Sequence, residues 1–175
     1  MHPGWEAKTW RDPLDQMAFP VLGDLFERPM PGAQLAGLAR LEVLWQYGGV
    51  YLDSDVEPIR SLDSLLWSPV FVCREDGDWC NDAVIGAEPG HPFIAACMAG
   101  ARMGVESGDD PGATGPKNLT TTLRLGSDYS DVTILAARAF GPIHYIDKVN
   151  LPPVGKAGEA FPESFGLHRW AASWL

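Results

Sequence analysis

The clearest repeat of hydrophobic positions lies between residues 33 and 47. It consists of Leu35, Leu38, Leu41, Leu44 and Trp45. Spacings of three and four residues are the period of an amphipathic helix, so this stretch predicts one. Gly48 and Gly49 follow directly, and glycine is the usual residue at the point where a helix ends. A helix over 33–47 that stops at Gly48 is therefore the first predicted element.

Shorter apolar runs alternate with further helical patterns downstream. Strands are predicted at 50–52, 69–73 and 83–86, with weaker candidates at 132–135 and 143–146. Helices are predicted at 92–103 and 116–125, a capped helical turn at 61–66, and a short helix interrupted at Pro20 within 12–26. Buried strands alternating with helices are typical of an α/β layer fold.

The length of 175 residues suits one domain, which we expect to span 1–175. The formal net charge is −10, from 13 basic and 23 acidic side chains. The sequence contains no cluster of Lys and Arg. Nucleic-acid binding normally needs a basic face, so that class is excluded. An acidic protein that binds a polyanion such as a sugar nucleotide needs a cation between the two.

Cysteine usage and hydropathy bear on the cell compartment. Cys73, Cys80 and Cys97 are odd in number and form no metal-binding pattern, which favours reduced thiols. No apolar run approaches the roughly 18 residues of a membrane span, and the residues after Met1 do not form a signal peptide. These features predict a cytoplasmic protein without a membrane span.

The candidate chemistry lies where the predicted strand 50–52 runs into Asp53-Ser54-Asp55. Ligands of open α/β sheets bind beyond the carboxyl ends of strands, and a turn there lets both carboxylates meet one cation. Mg²⁺ and Mn²⁺ prefer such oxygen ligands together with substrate phosphates. The alternative is a solvated turn that caps the next element.

The context of this motif resembles the DXD sugar-binding region of glycosyltransferase family 32. That group includes yeast-type mannosyltransferases and bacterial capsule or phage-encoded transferases, and it is distantly similar to the clostridial glucosylating toxins. The resemblance is carried by Leu38-Ala39-Arg40 and by LWQYGGVYLDSDV over residues 44–56. Weaker similarities follow in Asn81 with residues 86–92, in Thr114-Gly115-Pro116, and in His168 with Ser173-Trp174.

The resemblance implies a GT-A-like fold, Mn²⁺ or Mg²⁺, and transfer of a hexose from UDP- or GDP-hexose to an acceptor hydroxyl with retention. The acceptor class, whether carbohydrate, lipid or protein, stays open. The implied catalytic residues are Asp53, Asp55 and Arg40, and Asp53 and Asp55 are also the implied metal ligands, with His168 or Ser173 completing the metal shell. Arg40 would contact the donor sugar or phosphate, and the donor site would also include Tyr51, Asn81, Asp82 and Trp174.

Two departures from the family pattern leave other functions open. Gly37 stands where family members usually carry Asp, and the apolar strand that normally precedes the Pro-Gly-Trp-Glu segment at residues 3–6 is expected to be missing. One alternative is therefore a degenerate sugar-nucleotide-binding or structural module, or a site completed by an oligomer or partner subunit. The other is a metal-dependent sugar-nucleotide hydrolase.

Several side chains keep a second interpretation. Arg40 is either a donor contact or a snorkelling side chain on an apolar helix. His168 is either a ligand or a packed histidine, and Asn81 and Asp82 either face a substrate or form a turn. Glu57 is either an extra ligand or an exposed carboxylate.

Overall fold

The computed structural model describes residues 4–10, 18–108, 111–126 and 128–171. Its helices are α1 (Gly32–Tyr47), α2 (Pro92–Glu106), α3 (Pro116–Leu125) and the short α4 (Ala157–Ala160). Its strands are β1 (Gly49–Leu52), β2 (Val56–Pro58), β3 (Val70–Arg74), β4 (Cys80–Ala87), β5 (Val132–Leu135) and β6 (Gly166–His168).

The main sheet has the strand order β1-β4-β3-β5. The β1–β4 and β3–β4 pairs are antiparallel, and the β3–β5 pair is parallel, so the sheet is mixed. Strands β2 and β6 form a separate antiparallel pair. The predicted α/β class with a mixed sheet flanked by helices is confirmed, and the architecture is consistent with a GT-A-like fold.

The two faces of the main sheet are covered differently. Side chains alternate along β3, so Val70 and Val72 pack with α1, α2 and α3 on one face. Phe71 and Cys73 point to the other face and pack with Val56, Phe140 and the segment around Leu62 and Leu65. The helices therefore support the sheet from behind, and the small β2–β6 sheet lies on the opposite face.

Helix α1 ends at Gly48 for a steric reason. The φ of Gly48 is +65°, and a Cβ built there would lie 2.6 Å from Cδ of Pro89. Gly48 N–H donates to the Leu44 carbonyl and closes the last turn at 2.9 Å. Glycine is the residue that accepts both conditions, so the predicted stop is confirmed and the chain turns directly into β1.

Other predicted elements needed correction. Residues 143–146 are not a strand, because a 3-10 helix occupies Tyr145–Asn150. Strand β4 is longer than predicted, and β2, β6 and α4 were not predicted at all. Elements of three or four residues carry too little periodicity to be recognised. Of the short helix predicted within 12–26, residues 12–17 lie outside the described residues, and the described part, 18–26, contains the 3-10 turn Gly23–Leu25 instead of an α-helix.

Gly37 is packed against the turn before α3. A Cβ added to Gly37 would lie 2.5 Å from the Thr114 carbonyl oxygen and 2.6 Å from its hydroxyl. Thr114 is buried and belongs to the 3-10 turn Pro111–Thr114. The space beside Gly37 on α1 is therefore taken by backbone, and an aspartate does not fit there without displacing this turn.

We expect Gly37→Ala to lower the free energy of unfolding by about 1–3 kcal/mol, because the added methyl overpacks a backbone contact. Gly32→Ala in the same helix is the matched control, since its Cβ would meet nothing within 4 Å. Urea unfolding monitored by tryptophan fluorescence measures both. Equal midpoints for Gly37→Ala and the parent protein would contradict the described packing.

Candidate functional site

Asp53 follows β1 at the end of the sheet where β4 begins. Its N–H donates to the Ala83 carbonyl at 2.8 Å, which continues the β1–β4 ladder by one bond. The Asp53 carbonyl then accepts from the Val56 N–H at 3.0 Å, so the chain turns tightly over residues 53–56. Side chains two apart on an extended strand share one face but lie about 7 Å apart, and this turn brings Asp53 and Asp55 closer together than that.

His168 reaches the same turn from the far end of the chain. Strand β6 pairs with β2 in a register that sets His168 opposite Val56. His168 Nε2 lies 3.3 Å from Asp55 Oδ1, and the Ala171 N–H donates to Asp55 Oδ2 at 2.8 Å. The hydrogen bond from His168, helped by the Ala171 N–H, holds the pKa of Asp55 below its ordinary value, although burial opposes the shift.

Asp53, Asp55 and His168 each present a ligand atom to one small volume. These three atoms all lie within 4.8 Å of one another. A divalent cation with bonds of about 2.0–2.1 Å keeps its ligand atoms roughly 3 to 4.2 Å apart, so small side-chain movements suffice. No second group of three such residues meets this criterion in the part of the chain that the structure describes.

Unsatisfied polar atoms also concentrate here. Within the described ranges, the buried side-chain nitrogens and oxygens without a hydrogen-bond partner are Arg40 Nε and His168 Nδ1. Buried polar groups are nearly always paired, and an exception calls for water, an ion or a ligand. The two carboxylates and the imidazole make a ligand set that fits a divalent cation, whereas Arg40 Nε is a hydrogen-bond donor and cannot be a ligand.

Arg40 lies on α1 with its guanidinium buried beneath the carboxylate turn. Only 6% of its side chain is exposed. Its Nη2 donates to Asp53 Oδ1 at 3.1 Å, while Nη1 donates to the Asp82 carbonyl at 2.7 Å and forms an ion pair with the Asp82 carboxylate. Burial alone would lower the pKa of Arg40, but Asp82, Tyr51 and Asp53 raise it, so the guanidinium stays charged. The snorkelling interpretation is wrong for this conformation.

Tyr51 and Asp82 complete the surroundings of Arg40. The Tyr51 hydroxyl donates to Asp53 Oδ1 at 2.7 Å, and the guanidinium lies 4.5 Å from the centre of the Tyr51 ring. Burial raises the pKa of Tyr51, although the nearby Arg40 charge opposes the rise. The raised pKa keeps the Tyr51 hydroxyl protonated, so it remains a hydrogen-bond donor. Burial likewise raises the pKa of Asp82, and the Arg40 charge opposes that rise.

A bulge in β4 brings Asp82 to Arg40. The β3–β4 register shifts between Val72 and Cys73, whose partners are Ile85 and Asn81. Asn81 Oδ1 accepts from the Ala83 N–H at 2.7 Å and its Nδ2 donates to Glu75 at 3.0 Å. The Asn81 side chain therefore braces the bulge from within. Bulges commonly re-aim a side chain beside a functional site.

Trp170 forms an aromatic wall next to His168. The two ring centres are 3.9 Å apart, and the indole N–H donates to the Ile143 carbonyl at 2.8 Å. Trp170 also has a positive φ of 53°, a strained conformation for a bulky residue that is common at functional sites. A narrow cleft beside this wall is lined in part by Arg74, Glu75, Asn81, His168 and Trp170.

The structure brings together most of the predicted site residues, and their roles stay predictions. One group is Asp53, Asp55 and His168, and the adjoining group is Arg40, Tyr51, Asp53 and Asp82. Asn81 lies beside them with its amide occupied by protein partners. Ser173 and Trp174 lie outside the described residues.

Three nearby residues differ from the sequence interpretation or were missed. Glu57 is not an exposed carboxylate, since 18% of its side chain is exposed and it pairs with Arg169. Neither Arg169 nor Trp170 was predicted to belong to the site. Their position directly after His168 was the available signal, but nothing in the sequence tells which strand pairs with the C-terminal segment.

Comparison with known proteins points to one enzyme class. Residues 3–72 match the family described as "Glycosyltransferase sugar-binding region containing DXD motif". The chain is 28% identical over 145 residues to the human alpha-1,4-N-acetylglucosaminyltransferase, an alignment that covers 75% of this chain and 41% of that protein. No solved structure gives a significant match.

Two fungal relatives have similar names. The chain is 34% identical over 98 residues to inositol phosphoceramide mannosyltransferase 2 of Schizosaccharomyces pombe, covering 54% of this chain and 28% of that protein. It is 32% identical over 102 residues to the mannosyl phosphorylinositol ceramide synthase SUR1 of Saccharomyces cerevisiae, covering 56% and 27%. The chain thus matches less than half the length of each of these relatives. In the described part, no helix has the length and apolar character needed to cross a membrane.

We expect Arg40→Gln to lower the free energy of unfolding by about 3–5 kcal/mol, because it leaves the Asp82 charge buried without its partner. Adding Asp82→Asn to Arg40→Gln should restore part of this loss. Arg74→Gln is the control, since the Arg74 side chain is 39% exposed and its ion pair contributes little. Urea unfolding at neutral pH compares the four proteins. Similar losses for Arg40→Gln and Arg74→Gln would contradict the buried network.

Proposed function

We propose that this chain binds a nucleotide-sugar donor through a divalent cation and transfers its hexose to an acceptor hydroxyl, because residues 3–72 match the glycosyltransferase sugar-binding region containing a DXD motif. The observation that carries the proposal is the convergence of Asp53, Asp55 and His168 on one small volume. The chain is acidic, with a formal net charge of −10, so a cation is the natural bridge to a diphosphate.

Asp53, Asp55 and His168 would hold Mn²⁺ or Mg²⁺. When bound, the cation supplies Lewis-acid stabilisation of the charge that grows on the departing diphosphate. The three side chains fix its position because each is itself held. Asp53 accepts from Arg40 and Tyr51, Asp55 accepts from the Ala171 N–H, and the His168 ring packs on Trp170. A preorganised site of this kind does not have to rearrange as charge develops.

Arg40 supports this function from beneath. Its charge is fixed by Asp82 and Asp53, and its Nε has no protein partner in the described part of the chain. It orients the Asp53 carboxylate through the hydrogen bond from Nη2. Tyr51 donates to the same carboxylate oxygen and leaves the other oxygen of Asp53 for the cation.

The finer assignment concerns donor and acceptor. We favour a UDP- or GDP-hexose, since the relatives' names specify N-acetylglucosaminyl and mannosyl transfer. Retention of the anomeric configuration is part of the proposal through the family resemblance. Trp170 offers an aromatic face beside the cation site, where a sugar or base can pack.

Titration calorimetry of UDP and GDP, with and without Mn²⁺, tests the donor site. We expect one nucleotide to bind only with Mn²⁺, and Asp55→Asn to weaken that binding at least tenfold, about 1.4 kcal/mol, because a charged ligand is lost. Asp147→Asn, on the 3-10 helix near Trp170 but outside the cluster, is the matched control and should bind normally. Metal-independent binding, or equal affinity for both variants, would contradict the proposed site.

A second assay separates transfer from the alternatives. With the preferred nucleotide sugar, a transferase releases nucleotide faster when its acceptor is added, whereas a hydrolase releases it at the same rate in either case. A folded protein that binds neither nucleotide would instead be a binding or structural module that needs a partner subunit.

A further inference from the structure

Strand β6, which carries His168, is short. Outside its ladder with β2, the His168 N–H donates to the Phe140 carbonyl at 2.7 Å and the Arg169 N–H donates to the Asp55 carbonyl at 2.9 Å. Strand β6 has three residues, and its partner β2 has three. An isolated pair of strands is marginally stable in water, and longer or multi-stranded sheets are needed for independent stability. The position of the His168 ring therefore has to be fixed by something more than the β2–β6 ladder.

An ion pair directly after β6 adds a side-chain anchor to these backbone bonds. Arg169 Nε donates to Glu57 Oε2 at 2.9 Å, and its Nη2 contacts the same oxygen. The exposed fractions of the two side chains are 16% and 18%, so the pair is largely removed from water. Charge-assisted contacts with this geometry are stronger than the exposed pairs that contribute little to stability.

The same two side chains also form hydrogen bonds with the backbone of residues 152–157. Arg169 donates to the Pro152 carbonyl at 2.5 Å and to the Pro153 carbonyl at 3.2 Å. Glu57 Oε1 accepts from the Gly155 N–H at 3.0 Å and from the Ala157 N–H at 3.4 Å. Burial by itself would raise the pKa of Glu57, but Arg169 and these N–H groups lower it, so the carboxylate stays charged.

The anchor and the candidate metal ligands are coupled by register. His168 is opposite Val56, and Val56 is flanked by Asp55 on one side and Glu57 on the other. His168 contacts Asp55, while the next residue, Arg169, forms an ion pair with Glu57. Loss of the Glu57–Arg169 pair would thus free the strand end on which the His168 ring depends.

We propose that Glu57 and Arg169 are positioning residues that hold His168 against Asp53 and Asp55 for cation binding. This inference rests on the proposed cation site. Neither side chain touches the cation or the donor in this assignment. Their effect passes through the β6 backbone to His168, and removing the pair weakens cation binding in a folded protein.

Manganese titration of the nucleotide-free protein tests the inference. The signal of free Mn²⁺ in electron paramagnetic resonance gives the affinity directly, without any catalytic turnover. We expect Glu57→Gln and Arg169→Gln each to weaken Mn²⁺ binding about tenfold, the size of effect typical of groups that orient a metal ligand. In a His168→Ala background, Glu57→Gln should cause no further loss, because its effect acts through that ring.

The control is Glu159→Gln, the same chemical change in the exposed Lys156–Glu159 pair of the neighbouring helix α4, which should bind Mn²⁺ normally. Far-ultraviolet circular dichroism and urea unfolding in EDTA establish that each variant is folded. If Glu57→Gln does not fold, Arg169→Gln alone tests the inference.

Three results would overturn the inference. Normal Mn²⁺ affinity in both folded Glu57→Gln and Arg169→Gln, with weakened affinity in His168→Ala, would leave the cation site standing and remove the positioning role. An equal loss from Glu57→Gln with and without His168 would indicate general destabilisation. Absence of Mn²⁺ binding in the parent protein would reject the proposed cation site itself.

Discussion

The buried guanidinium of Arg40 is the interaction on which the rest of the site depends. A charge removed from water is tolerated only when it is paired and hydrogen-bonded on several sides. Arg40 meets this condition by forming ion pairs with Asp53, at the end of β1, and with Asp82, in the bulge of β4. A helix and two strands are therefore joined by one side chain, and the carboxylate that follows β1 is held in one orientation.

This arrangement links stability to the proposed chemistry. Asp53 Oδ1 accepts one hydrogen bond from Arg40 Nη2 and one from the Tyr51 hydroxyl. A carboxylate oxygen of Asp53 also lies within 4.8 Å of ligand atoms of Asp55 and His168. The same pairing that makes the Arg40 charge tolerable thus prepares an acidic site, and a divalent cation offsets the excess negative charge there. At Gly37 of α1, Thr114 fills the adjacent space, and the carboxylate that pairs with Arg40 comes from Asp82 of strand β4.

The opposite half of the site depends on contacts between residues far apart in sequence. Strand β6 returns to β2 over more than a hundred residues, and the Glu57–Arg169 pair joins the two ends. Such long-range closure costs chain entropy, and several local contacts are needed to offset it. The backbone ladder, the ion pair and the Trp170 indole bond to Ile143 share this task. The His168 and Trp170 rings, tilted by 35° with their centres 3.9 Å apart, then form one wall of the site.

The sequence by itself determined the elements whose signals are local. The leucine spacing of α1, its stop at Gly48, the helix α3 and the strand β5 follow from periodicity and glycine chemistry, and the Asp53-Ser54-Asp55 motif follows from residue type and position. The residues 143–146 and the three-residue strands escaped because too few positions carry a period. Only the tertiary structure decided that Arg40 is buried between two carboxylates, that His168 contacts Asp55, and that Glu57 forms an ion pair with Arg169. Each of these depends on strand register and on a bulge, and a register is set by packing across the whole molecule rather than by any run of neighbouring residues.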